Sequence, residues 1–292
     1  MDAVITYVNG QDPQWQEEYR KAVPSAEGAK RYRDWGTLPY LLRGICACMP
    51  FVDNVYLVVS SPSQVPGWVD GTKLRVVLHE AIMPARLLPV FNSCTIEMFL
   101  HRIPGLAEEF VYFNDDMFPL MPCSPTDFFR EGKGVIGFTR HLFAAGMYKK
   151  QCRTSDRLAR RSLGLKSRLF FVRPQHICSP MLRSASVQAF ERLEEEILST
   201  ASRVRTPQNP NQYLYLDYMY YSGKIIPRRI SNKHISQGVW SAEKIADYIL
   251  HPRTSFACIN DVSMPDGKFQ RMQELMIEAF EKRFPQKSPY EK

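Results

Sequence analysis

The sequence predicts an α/β fold: a mostly parallel sheet with crossover helices, and a helical C-terminal half packed on its cleft. Two observations carry this. Short apolar runs rich in β-formers recur at residues 2–8, 55–59, 74–78 and 110–113, with segments of helical period between them. Beyond Gly134 that alternation loosens, and the long periodic segments are helical.

The elements follow in chain order. Residues 2–8 form a β-rich run ending at Asn9-Gly10, a strong turn signal. Asp12-Pro13 opens a helix, with Asp12 as N-cap and Pro13 at the first helical position. Residues 38–48 read as a second helix stopped near Pro50, and 55–59 and 74–78 as buried strands. Ser93 caps a helix reaching about His101, with Ile96, Phe99 and Leu100 as its apolar stripe. Pro104-Gly105 breaks it, and the strand 110–113 follows. Residues 134–138 read as one more strand, and 149–173 as a mobile lid or an insertion. Helices are expected over 186–200, 212–221 and 268–284, a strand over 254–259, and a frayed tail containing Pro285 and Pro289.

A chain of 292 residues holds one large or two moderate domains with ample core. No apolar run reaches the ~18 residues a membrane span needs, and no basic segment followed by an apolar core opens the chain. A cytoplasmic protein without signal peptide or spanning helix is therefore expected. The net charge of +8, from 38 basic and 30 acidic residues, points to an anionic partner. Nucleic acid, anionic phospholipid and a phosphorylated sugar polymer all qualify. Nucleic acid is the weakest, because no aromatic–basic reading motif occurs. The densest basic stretch, 149–173, interleaves Arg157, Arg160, Arg161 and Arg168 with Leu158, Leu165, Leu169 and Phe170. It reads as an amphipathic segment touching a membrane surface or as a solvated helix face. Seven cysteines without a C-x-x-C pair argue for reduced, mostly buried thiols and against structural zinc.

The stretch Phe110-Val111-Tyr112-Phe113-Asn114-Asp115-Asp116 carries the sharpest functional signal. A buried strand ending in two carboxylates places them at the carboxyl edge, where open α/β sheets bind ligands. Hard cations such as Mg²⁺ take oxygen ligands, commonly one or two carboxylates plus substrate phosphates. The site is then a metal–diphosphate or proton-transfer centre; the alternative is an Asx-turn closing the strand with solvated acids.

Four segments together resemble the Stealth family of sugar-1-phosphate transferases, to which the lysosomal-enzyme N-acetylglucosamine-1-phosphotransferase belongs. Tyr7-Val8-Asn9-Gly10-Gln11-Asp12-Pro13 is similar to the first signature. Arg31-Tyr32-Arg33-Asp34, Leu88-Pro89-Val90-Phe91-Asn92-Ser93, Ile96-Glu97, His101-Arg102-Ile103-Pro104-Gly105-Leu106 and Phe113-Asn114-Asp115-Asp116 resemble the second. Pro174-Gln175-His176 with Arg205 resembles the third, and Cys258-Ile259-Asn260-Asp261 the fourth. They occur in family order and cover most of the chain. Tyr7 stands where a Trp is usual, Trp35 where a polar residue is, and Cys94 where a His is. Residues 206–211 read as a small insertion.

The resemblance implies a nucleotide-sugar-transferase-like, Rossmann-like fold. It implies one catalytic unit over 1–292: a nucleotide-sugar-binding part (1–145), a basic lid or insertion (146–175) and a helical part (176–292) completing the active site. It implies transfer of a sugar-1-phosphate from a UDP-sugar to a glycan or phosphoglycan hydroxyl, releasing UMP, in capsule or exopolysaccharide synthesis. Mg²⁺ or Mn²⁺ is the expected cofactor, held by Asp115, Asp116, Asn260 and Asp261. Asp116, His176 and Arg205 are the expected catalytic set: carboxylate, imidazole near neutrality and a phosphate-binding fork. Donor contacts are expected from Asp2, Asn9, Gly10, Asp12, Arg33, Asp34 and Asn92, with Arg33 and Asp34 paired and Asn92 opening an anion-binding helix terminus. Asp12 serves equally well as a helix cap. His79, His141, His234 and His251 are isolated and receive no role. Two rival readings stand beside this one: an ordinary metal-dependent glycosyltransferase releasing UDP, and a polyanion-binding module.

Overall fold

The computed structural model describes residues 1–23, 32–260 and 262–292; Arg31 and the expected ligand Asp261 lie outside the described residues. The N-terminal part follows the apolar runs. β1 (Asp2–Thr6) leads into α1 (Pro13–Ala22), where the Asp12 side chain accepts from the Trp15 backbone N–H at 2.7 Å. Then come α2 (Leu38–Cys48), β2 (Asn54–Val59), β3 (Arg75–Leu78), α3 (His79–Ile82), α4 (Ser93–Glu97) and β4 (Glu109–Asn114). The four strands are parallel in the order β3-β2-β1-β4. The chain winds outward from β1 to β3 and returns to its other side with β4, so a topological switch falls between β1 and β4. Thr6 pairs with Asn114 across it, bringing both carboxyl ends to one edge. The α4 helix stops short of the expected His101, because the chain tightens into a 3-10 turn over Leu100–Arg102 that buries Leu100 and His101.

The remainder is more strand-rich than its periodicity suggests. β5 (Met117–Pro119), β6 (Phe129–Arg130), β7 (Lys133–Val135) and β8 (Phe138–His141) precede α5 (Gly146–Ser162). β9 (Phe171–Pro174), β10 (Ser179–Leu182), α6 (Arg183–Thr200), α7 (Tyr213–Tyr221), β11 (Ile225–Ile226), β12 (Asn232–Ser236), α8 (Ala242–Leu250), β13 (Phe256–Asn260) and α9 (Asp266–Arg283) follow. β10 adds an antiparallel strand to the outer edge of β4. β12, β13 and β5 form a second sheet, with Cys258 opposite both His234 and Met117. The strand expected over 134–138 splits in two because its partners change: β7 pairs with β6 and β11, and β8 with β9.

The basic segment is not a free lid. α5 packs against α7 and buries Gln151, Cys152, Asp156, Leu158 and Ala159, so its apolar face is already spent on the core. The tail is not frayed either. Tyr290 accepts from the Asp70 backbone N–H at 2.8 Å, Glu291 bridges Val69, and the Glu291 carboxylate sits in the fork of Arg43.

Asp217, on α7, is fully buried, and neither carboxylate oxygen has a hydrogen-bond partner among the described residues. Burial, and then the nearby Asp156, push its pKa well above the ordinary carboxylate value. The folded state therefore keeps a proton that the unfolded chain releases above about pH 4. This contribution is full below the unfolded pKa and is lost as pH rises toward the folded one, by about 1.4 kcal/mol per pH unit at most. Asp217→Asn is expected to raise stability by roughly 1–3 kcal/mol at pH 8 and to flatten that decline. Urea unfolding at pH 5 and pH 8 measures both; a variant less stable at pH 8 would contradict it.

Candidate active site

A cleft of about 930 Å³ opens at the carboxyl edge of β1 and β4, and Asp115, Asp116, His176 and Arg205 all line it. Those residues come from distant parts of the sequence, and different devices hold each. The Tyr112 hydroxyl lies 2.9 Å from Thr6 Oγ1 and donates to Asn114 Oδ1 at 2.7 Å, fixing the end of β4. Asp116 is tied to the second sheet: its backbone carbonyl accepts from the Ile259 N–H at 2.9 Å, and its Oδ2 accepts from the Cys258 thiol at 3.4 Å. Extending the β5–β13 register sets Asn260 opposite Asp115. Asn260 also lines the cleft.

His176 follows β9 and is half-buried. Its Nδ1 lies 2.9 Å from the Tyr213 hydroxyl, and its carbonyl accepts from Asn232 Nδ2 at 3.1 Å. Burial, then the neighbouring His234 and Arg173, push its pKa down to about 4, so the ring is neutral near pH 7. Arg205 stands at the rim and donates to Ser93 Oγ at 2.5 Å. Beneath it, Glu97 is buried, and its Oε2 accepts from the Gln212 N–H at 2.8 Å.

The expected donor contacts divide. Arg33 and Asp34 line the cleft, but they do not pair. Arg33 forms a salt bridge with Asp266 and lies over the Phe269 ring, 4.9 Å from its centroid. Asp34 accepts from the Tyr7 hydroxyl at 2.8 Å and from the Gly36 N–H at 2.9 Å. Asp2 sits at the amino end of β1, away from the cleft, where its carboxylate accepts from Asn54 Nδ2 and the Ala107 N–H, both at 2.8 Å. It joins strand to loop. Asn9 is spent on Gln64 and Gln11, and Asp12 on the helix cap. Gly10 does allow a close approach, but of the Tyr32 backbone: a Cβ there would lie 2.2 Å from the Tyr32 carbonyl oxygen. Asn92 caps α4 with its own side chain and turns its amide NH₂ to Ser202, Val204 and Asn209. Asn92 is fully buried and does not line the cleft, whereas Ser93 and Cys94 of the same terminus do.

Other residues that had been given no site role also line the cleft. Arg173 and Arg229 add positive charge, and Trp15, Tyr32 and Phe91 form an aromatic wall, with Trp15 and Phe91 edge-on at 5.4 Å. Arg173 stands one residue before the Pro174-Gln175-His176 signature, a signal that marked it. His234 reaches the cleft only through strand pairing, which its local sequence does not announce.

The oxygen donors Asn114, Asp115, Asp116 and Asn260 suit Mg²⁺ or Mn²⁺, which take hard ligands. The nearest nitrogen–sulfur cluster, His176, His234 and Cys258, does not.

The family model for Stealth protein conserved region 2 matches residues 31–136. The capsular polysaccharide phosphotransferase WcwK of Streptococcus pneumoniae is 31% identical over all of this chain and 99% of its own length. The chain belongs to the Stealth family. The receptor polysaccharide phosphotransferase WefC of Streptococcus oralis is 33% identical, again over 100% of this chain and 99% of its own. Among solved structures, the galactosyltransferase LgtC in complex with donor and acceptor sugar analogues overlaps 95% of this chain and 96% of its own, with a TM-score of 0.41 and 10% identity. That overlap is too slight to bear on the reaction. This Stealth protein is an enzyme, a phosphotransferase. Tyr7, Trp35 and Cys94 all line the cleft. No helix among the described residues is long and apolar enough to cross a membrane.

Proposed function

We propose that this Stealth enzyme transfers a sugar-1-phosphate, an N-acetylhexosamine-1-phosphate, from a UDP-sugar to a glycan or phosphoglycan hydroxyl in capsule or exopolysaccharide synthesis. The carrying observation is the convergence of two carboxylates, a neutral imidazole and several guanidinium groups on one cleft. Phosphoryl transfer needs charge neutralisation, in-line positioning and a base for the attacking hydroxyl. Mg²⁺ or Mn²⁺ bound by Asp115, Asp116 and Asn260 would neutralise the diphosphate; Asp261, the fourth expected ligand, lies outside the described residues. Arg205, Arg33 and Arg173 hold phosphate oxygens. His176 takes the acceptor hydroxyl's proton, and that oxygen forms a bond to the β-phosphorus. The bond from the β-phosphorus to the bridging oxygen breaks, and UMP leaves while the sugar keeps its phosphate. The donor's negative charge raises the proton affinity of His176 as it binds, which suits it to accept the proton.

Incubating the purified enzyme with a panel of UDP-sugars, Mg²⁺ and a glycan acceptor tests this. UMP release with a new phosphodiester in the phosphorus NMR spectrum is the expected result. UDP release with no phosphorus in the product would instead mark an ordinary glycosyltransferase, and polymer binding without turnover a polyanion-binding module.

We also propose a cytoplasmic enzyme that touches the inner membrane face. The support is a surface at the open end of the β8–β9 pair, where His141 faces Phe171. Phe143 is 80% exposed there and Leu169 89%, with Arg140 and Arg168 stacked on Phe170 beside them. Exposed apolar tips ringed by cations suit anionic lipid. Replacing Phe143 and Leu169 together by Asp is expected to weaken binding to anionic vesicles at least about tenfold, since each buried apolar side chain contributes roughly 1.5–3 kcal/mol. Cosedimentation measures it, and unchanged partitioning would exclude this surface.

A further inference from the structure

Beside the oxygen donors, two cleft-lining imidazoles, His176 and His234, stand close to the buried Cys258 thiol. One ligand atom each from His176, His234 and Cys258 lies within 4.8 Å of the others. The frame is rigid. His234 and Cys258 are register partners on the paired strands β12 and β13, so their side chains share one face of that sheet. His176 is held through its Nδ1 to the Tyr213 hydroxyl at 2.9 Å, leaving Nε2 as its available nitrogen. An outer-sphere partner of this kind fixes the orientation of metal-binding imidazoles. The Cys258 sulfur already lies 3.4 Å from Asp116 Oδ2, a separation typical of two ligands on one tetrahedral ion.

Two imidazoles and a thiol form a borderline-soft set, matched to zinc rather than to magnesium. Zinc binds nitrogen at about 2.0–2.1 Å and sulfur at about 2.3 Å. Ligand atoms around it therefore stand roughly 3.3–3.8 Å apart, so closing the triad shortens its separations by at most about 1.5 Å. Asp116 or a water completes four-coordination. We propose that His176, His234 and Cys258 form a binding site for a zinc-class divalent cation, and that its occupancy switches the transferase off. The first part stands on geometry alone. The second rests on the functional reading above, because the ion would occupy the lone pair with which His176 accepts the acceptor's proton.

Cobalt(II) is the probe, added to the reduced full-length protein. The expected spectrum has a thiolate-to-cobalt charge-transfer band and the intense visible bands of a tetrahedral ion, both displaced by zinc. Cys258→Ser should lose the charge-transfer band, and His234→Asn should weaken cobalt binding at least about tenfold. A folded wild-type protein giving only the faint spectrum of hexa-aquo cobalt overturns the site. In the transferase assay with Mg²⁺ in excess, zinc should inhibit the wild type. His234→Asn should retain turnover while needing at least about ten times more zinc for half-inhibition. Equal zinc sensitivity in the two proteins overturns the switch. Should no UDP-sugar be turned over, the functional reading fails, yet the cobalt spectrum still decides the site.

Discussion

His176→Asn is expected to lower turnover by about 10²–10⁴-fold, the range lost when a positioned acid–base group is removed. Asparagine keeps a polar atom for the Tyr213 hydroxyl but offers no lone pair basic enough to take a proton. The loss should fall on kcat, with KM for the donor little changed, because Arg205, Arg33 and Arg173 still line the cleft. The pH profile distinguishes a base from a merely structural ring. With the imidazole pushed down to about 4 by burial, His234 and Arg173, wild-type kcat/KM should stay level through pH 6.5 and fall only near pH 4. Substitution should erase that acid limb. If the variant keeps both the limb and most of its rate, His176 is not the base. The same shift has a stability sign. The folded pKa lies below the ordinary value of 6.5, so the folded state binds fewer protons than the unfolded chain between pH 6.5 and about 4. Its stability contribution is complete above 6.5 and erodes as pH falls through that window. His79, buried and likewise pushed down to about 4, adds to the same acid lability.

The parallel sheet was legible because its inner strands β1, β2 and β4 are buried on both faces and therefore read as continuous apolar runs, as at Val55 to Val59 within β2. Asn114, Asp115 and Asp116 were legible for the same reason: a polar step at the end of such a run has few places to go but the carboxyl edge. The short strands β5, β10 and β12 were not. Their strand conformation comes from pairing partners far along the chain, and three to five residues carry no usable period. The first signature misled differently. Asn9, Gly10 and Asp12 have the chemistry of ligand binding, but their own turn consumes it in backbone and side-chain hydrogen bonds. Local capping and ligand recognition draw on the same residue types, and only coordinates separate them. His234 and Cys258, read as an isolated histidine and a reduced thiol opening the fourth signature, meet through a parallel pairing of strands whose partners lie two dozen residues apart.

Arg43→Ala is expected to cost the fold about 3–5 kcal/mol, the usual penalty for stripping one partner from a buried ion pair. Arg43 and Glu291 have side chains only 8% and 5% exposed. The fork is bidentate, Nε to Oε1 at 2.9 Å and Nη2 to Oε2 at 2.8 Å, and Nη1 also donates to the Phe284 carbonyl at 2.9 Å. Removing Arg43 leaves a carboxylate buried without its counter-charge. The tail can escape this by undocking, which caps the loss at the value of the Tyr290 and Lys292 backbone bonds to Asp70 and Trp68 plus the apolar surface of Tyr290. Two measurements separate the routes. If the tail stays docked, the urea midpoint falls by the full amount and proteolysis leaves the C-terminus intact. If it undocks, the midpoint falls less and residues 285–292 become susceptible. Burial works to raise the Glu291 pKa, but its bonds to Arg43 and Ser288 outweigh that and hold it below the ordinary carboxylate value. The clamp's contribution is therefore present above about pH 4.5 and is lost as pH falls through the lowered folded pKa. In Arg43→Ala, Glu291→Gln should recover part of the lost stability, since a neutral amide is cheaper to bury than an unpaired charge. A double variant no more stable than Arg43→Ala would show that the pair acts through packing and not through charge.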